Sequence, residues 1–283
     1  MIGAKRRPFG SNGGAMNHRK TLIVLIVFFF LIWFVLPLFV PGASQTVAIV
    51  TLPFRHLGIF VHEMGHGLFT LISGGRFYWF QMELMQGGVA VTSGGLRFLT
   101  LLGGLLGPAL FGALLLQAST RVRRVHFVLW IVTGFFVVGM IYMFKPLFLP
   151  VENYPLLRNW SPVMLISVVV PGIGALITYK MLRVRDDLQR FYLQVLGVLM
   201  CYSAYSDTSY IFMYEPLANG MFSDARLLAS YFWTSPETVP FMIFVITATG
   251  ISILNFALMG WGVWRAIKPD RSRPVESAKP LPG

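Results

Sequence analysis

Charge is what this chain has least of. Charged residues make up 12% of its 283 positions, against roughly 25% in ordinary soluble domains. With 55% of residues hydrophobic, that scarcity excludes a disordered chain and argues against a soluble one. Cysteine is nearly absent too: Cys201 stands alone, which excludes an intrachain disulfide and a cysteine-based metal site. Acids are few, 11 against 23 lysines and arginines, for a formal net charge of +12. Such an excess would suit nucleic acid if it were spread over one surface. Here the cations sit in short clusters between apolar runs, a pattern of membrane topology and anionic headgroups, so no nucleic-acid partner is expected.

What the chain has instead is uncharged runs long enough, at about 1.5 Å per residue, to cross about 30 Å of hydrocarbon. They cover 21–40, about 44–74, 98–118, 125–144, 160–179, 191–214 and 239–264. The first is too long for a signal-peptide core and no small-residue cleavage site closes it, so it reads as a retained span. The fold class expected is an all-α polytopic membrane protein with about seven hydrophobic segments, multi-pass and integral to a lipid bilayer. Its organisation is a basic flexible N-terminal tail (1–20), one transmembrane domain (21–264) and a flexible C-terminal tail (265–283). No internal repeat is visible.

Two stretches break the helical pattern. GGRFYWFQMELMQGGVAVTSGG holds two β-prone runs, 76–85 and 88–92, set off by glycines, which predicts a membrane-associated β-hairpin. Lipid does not tolerate free strand edges, so protein or a partner strand must cover them. Residues 215–238 read as a polar loop containing Asp224. Topology is ambiguous. Seven crossings put 12 basic residues on one side and 10 on the other, whereas a re-entrant segment among the first three moves the N-terminal tail across and makes the split 17 to 5.

The second apolar run contains His62-Glu63-Met64-Gly65-His66. Histidines four apart share one helix face, so both imidazoles can hold one zinc ion, with Glu63 beside them. Zinc lowers the pKa of a bound water to about 7. Glu63 is the expected catalytic base, taking the attacking water's proton and passing it to the leaving amine. A carboxylate at that depth costs roughly 2.5–3.5 kcal/mol on insertion scales and marks function. Zinc hydrolases use three protein ligands. Of the 11 acids, only Glu63 and Asp207 fall inside apolar runs. Asp207, in CYSAYSDTSYIF, is therefore the expected third metal ligand beside His62 and His66, with Asp224 in reserve. Depth agrees: Asp207 lies 17 residues past Arg190, about 25 Å along a helix. Gly103, Gly104, Gly107 and Gly112 predict close packing of the next helix, against the HExxH helix with its own Gly65 and Gly67. Arg55 and His56 read as interfacial.

HEMGHGLFTLISGG, VTSGGLRFLTLLGGLLGPALFGALLL and FSDARLLASYFWTSP together resemble the site-2 proteases, intramembrane zinc metalloproteases, in their bacterial "B-like" branch. The resemblance implies a bacterial cell-membrane enzyme with Zn2+ as cofactor and a transmembrane or membrane-adjacent protein segment as substrate. It also implies His62 and His66 as ligands, Glu63 as base and Asp207 as the later ligand. The chain departs from the better-studied branches: Ser206-Asp207-Thr208 stands where they carry LDG, Ala109 follows Gly107-Pro108 where they often have asparagine, and no PDZ-like insertion is present. Two other functions fit the same side chains, a transporter or proton/cation pathway and a catalytically silent relative that binds membrane proteins.

Overall fold

The computed structural model describes residues 17–83, 87–145, 162–217 and 220–268. Most of both expected tails, Arg158 and the hairpin's turn lie outside them. Helix α1 (His18–Phe30) starts earlier than expected because the Asn17 side chain caps it, accepting from the Lys20 backbone N–H at 3.3 Å. A wide helical turn, Leu31–Val35, carries the chain into α2 (Leu36–Phe39). Pro37 lies there, and its missing N–H breaks the regular ladder. Then come α3 (Ala43–Ile72), strands β1 (Arg76–Glu83) and β2 (Gly87–Ser93), α4 (Arg97–Arg121), α5 (Val125–Phe144), α6 (Pro162–Met181), α7 (Asp186–Ser206), the short α8 (Thr208–Ile211) and α9 (Asp224–Ala229), and α10 (Phe241–Ile267). The 215–238 stretch is thus not a plain loop: it holds α9 and two 3-10 turns, Ser230–Phe232 and Pro236–Thr238.

Each of the seven apolar runs contains a helix, but the expected count of about seven spans is not confirmed. Among the described residues four helical stretches are long and apolar enough to cross a membrane: His18–Phe39, Arg97–Arg121, Val125–Phe144 and Phe241–Ile267. Helices α3 and α7 fall short for a physical reason. Both carry polar and charged groups, among them His62, Glu63, His66, Gln189 and Gln194, and bury them between neighbouring helices, which an interior helix tolerates and a lipid-facing one does not.

Helix α4 is the centre, packed against α3, α7 and α10. Small residues allow it: a Cβ on Gly65 would stand 2.1 Å from the Gly103 carbonyl oxygen, one on Gly112 2.9 Å from the Gly197 carbonyl oxygen, and one on Gly262 2.6 Å from the Ala113 Cα. The backbones touch, as the glycine spacing predicts. Gly67 serves another neighbour, Phe77 of the hairpin. The main core gathers Phe60, Leu129, Phe136, Leu193 and Met200 with Phe80 of β1. The hairpin is antiparallel, Arg76 facing Ser93 and Glu83 facing Gly87, with an irregularity between Phe77 and Trp79. Strand β1 lies against α3, α5 and α6 and buries Trp79, Phe80 and Met82, whereas β2 lies against α3 and is half-buried.

Candidate metal centre

Helix α3 sets His62 and His66 one turn apart on a buried face, and their Nε2 atoms are 3.1 Å from each other. His66 Nδ1 lies 2.8 Å from the Thr100 carbonyl oxygen of α4. A carbonyl only accepts, so Nδ1 carries the proton, and neutral His66 must turn a bare Nε2 lone pair toward His62. Thr70 ties the same place together, donating to the His66 carbonyl and sharing a 2.8 Å hydrogen bond with the Thr100 hydroxyl. Gly104 leaves the room: a Cβ there would fall 2.2 Å from His66 Nε2.

The acid that reaches these imidazoles is Asp224. Its Oδ2 lies 2.9 Å from His62 Nε2 and 3.2 Å from His66 Nε2. Among the described residues, these three form the group that could hold a metal ion. Asp207, the expected third ligand, is not brought into this group, whereas Asp224, the acid held in reserve, is. Helix α7 ends at Ser206 with Asp207 as its cap, and the carboxyl stays outside the group although His62 and Arg55 act on it electrostatically. Asp224 arrives from the connector that sequence reasoning took for a loop, as the first residue of α9, where the helix end favours an anion. Burial alone would raise the Asp224 carboxyl, but the His66 and His62 imidazoles outweigh it and hold the group well below the usual carboxylate range.

Two further residues, neither singled out by the sequence, hold Asp224 in place. Tyr210 of α8 donates its hydroxyl to Oδ2 and accepts the Asp224 backbone N–H, each at 3.2 Å. Arg226 is buried, stacked at 4.2 Å on both Tyr214 and Phe222. Its guanidinium donates to the Pro236 carbonyl at 2.7 Å, to that of Glu237 at 3.2 Å, and to that of Tyr214. One fork thus closes the connector on itself. The available signal was FSDAR, an acid and an arginine two positions apart after a capping serine: Ser223 accepts the Arg226 N–H.

Glu63, next to His62, is buried, and β2 crosses directly against it: a Cβ on Gly88 would meet Glu63 Oε1 at 2.5 Å. His56, expected at an interface, is buried within α3. The donor set fits zinc. Two imidazole nitrogens and a carboxylate oxygen match a catalytic set of three protein ligands, and the triangle of 2.9, 3.1 and 3.2 Å is close to the roughly 3.3 Å spacing of ligands about 2.0 Å from a tetrahedral ion.

The model of the Peptidase M50B-like family matches residues 21–259. The chain belongs to that family. The match takes in α3, α4, the connector and most of α10; it supports a peptidase, of the metallo type that the family's name implies, and does not favour a transporter. No curated protein and no solved structure matches the chain.

Proposed function

We propose that this M50B-like chain is a zinc-dependent intramembrane endopeptidase that cuts transmembrane or membrane-adjacent protein segments. One observation carries the reading: the lone-pair atoms of His62, His66 and Asp224 converge within hydrogen-bond distance of one another beside the buried carboxylate of Glu63. Zinc held by these three would supply a Lewis acid and a water acidic enough to attack at neutral pH. Glu63 would be the base that accepts a proton from the attacking water and returns it to the departing amine. Thr100 fixes the His66 tautomer, and Tyr210 keeps the Asp224 carboxylate aimed inward. A helical peptide bond is already hydrogen-bonded, so the substrate must be extended before attack. Strand β2, running past Glu63 at Gly88, is the element beside which an extended segment would lie.

The reading is tested on purified protein in detergent by metal content and hydrolysis of a membrane-protein substrate. Glu63→Gln is expected to keep stoichiometric zinc and to lose about 10²–10⁴ of the hydrolysis rate. Undiminished hydrolysis in that variant overturns the proposal, and hydrolysis that survives complete zinc removal does so as well.

A further inference from the structure

Eleven of the sixteen lysines and arginines among the described residues lie at one set of helix ends. Two open α1, three follow one another from Arg121 at the α4–α5 turn, four flank the α6–α7 turn, and Arg265 and Lys268 close α10. Hydrogen bonds tie these ends into one face. Gln194 of α7 donates to the His18 carbonyl at 2.6 Å, and the His18 ring meets Asp187 at 3.3 Å. Arg190 donates to the Ser119 and Val122 carbonyls at 3.0 and 3.1 Å, and Arg121 donates to the Arg265 carbonyl at 2.6 Å. Helix α1 therefore runs parallel to α7, which Trp33 stacked on Tyr202 and Phe34 against Tyr205 bear out further along. This arrangement supports the 17 to 5 distribution and not the 12 to 10 one.

The metal centre is at the other end. Thr100 and Gly104, the α4 residues at His66, precede Arg121 by 21 and 17 positions, about 32 and 26 Å of helix, against a hydrocarbon core of about 30 Å. Exposed aromatics mark both boundaries independently. At the basic end Arg183 lies over Tyr179 and Lys268 over Trp264. At the other, Tyr231, Phe232 and Trp233 are exposed and Tyr231 meets Phe98 at 5.6 Å. Phe98 and Arg121 are about 35 Å apart along α4, the spacing of two interfacial girdles.

We infer that the basic face seats on the anionic cytoplasmic leaflet and that the metal centre lies at the opposite, extracytoplasmic boundary. It follows that the substrates are membrane proteins whose scissile segment is presented from that side. The substrate statement rests on the peptidase reading; the orientation does not.

The test is labelling of the full-length protein in intact cells. With Cys201→Ser as background, one cysteine is placed in the basic turn (Arg123→Cys) or in the exposed connector at the metal-centre end (Thr234→Cys). A membrane-impermeant maleimide is expected to modify Thr234→Cys in intact cells and Arg123→Cys only after permeabilisation. The reverse pattern overturns the inference. Should a cysteine variant fail to accumulate, a C-terminal fluorescent fusion that folds only in the cytoplasm reads the same face, and a dark, full-length fusion overturns the inference equally. Replacing Arg123, Arg124, Arg183 and Arg185 together by glutamine is expected to give mixed labelling, because the cationic bias sets orientation. Unmixed labelling identical to the parent would remove the leaflet contact as its cause. None of these readouts requires hydrolysis. An inactive chain with the expected labelling ends the peptidase reading alone, and an active one with reversed labelling ends the orientation alone.

Discussion

The two halves of the metal centre are built by different means. The histidine half belongs to regular helices: α3 sets the imidazoles by the helical repeat, and glycine-mediated contact with α4 brings the Thr100 carbonyl to His66. The aspartate half belongs to an irregular connector of short helices and 3-10 turns, which holds its shape through the Arg226 fork and Tyr210. Helical packing makes the first half insensitive to single polar changes at a distance. The second half depends on a few polar contacts, each of which can be removed.

The largest effect should come from emptying the connector half at its ligand. Asp224→Ala leaves two imidazoles and no anionic ligand, so metal content measured by atomic emission is expected to fall to background and hydrolysis with it. That loss exceeds the about 10–100-fold typical of an outer-shell partner. Zinc retained at parental affinity would mean that another acid completes the set and that the two-halves comparison is drawn in the wrong place. Next in size is Arg226→Ala. It strips a buried fork from three backbone carbonyls, and each buried acceptor left unpaired costs about 1–3 kcal/mol. Metal affinity is expected to drop well over tenfold while helical circular dichroism stays unchanged, because α3, α4, α7 and α10 do not pass through the fork. A parallel loss of helical signal would show that the connector supports the bundle as well as the ligand.

How far each half could be read in the sequence follows from the same difference. The histidine half was legible because a four-residue spacing has one geometric meaning on a helix, and because Gly103, Gly104 and Gly112 can sit against backbones where larger residues cannot. The hairpin was legible from its glycine brackets and β-prone runs. The count of spans is not confirmed: α3 and α7 are hydrophobic enough to resemble spans, yet buried polar groups such as His62, Glu63 and Gln194 depress their apolar character. The connector half was not legible. Residues 215–238 look polar because their polar groups satisfy one another, Arg226 on carbonyls and Ser223 on Met213, and satisfaction of that kind leaves no periodic signature. Choosing the acid buried in an apolar run favoured Asp207. Burial by folding of a polar connector produced the buried acid that reaches the imidazoles.

Tyr210→Phe sharpens the comparison more gently. It deletes one hydroxyl that both donates to Asp224 Oδ2 and accepts its backbone N–H, with no change of ring or packing. The loss expected is about 10–100-fold in zinc affinity, measured by competition with a chromogenic chelator. Recovery of hydrolysis at saturating zinc would identify Tyr210 as a positioning residue acting through Asp224. A defect that zinc cannot relieve would give the hydroxyl a second task nearer the reacting atoms.

The smallest effect is expected at the residue that the sequence favoured most. Asp207 caps α7 within electrostatic range of His62 and Arg55 but outside the ligand triangle. Asp207→Asn keeps the shape and removes the charge, so zinc affinity and hydrolysis should stay within about threefold of the parent, under roughly 1 kcal/mol. The paired change is informative because the two acids differ in one respect that matters: Asp224 places an oxygen 2.9 Å from an imidazole nitrogen, and Asp207 is not in the group. If Asp207→Asn lost its metal while Asp224→Ala kept it, the regular helix and not the connector would supply the third ligand. The connector would then be a cover over the site instead of part of it.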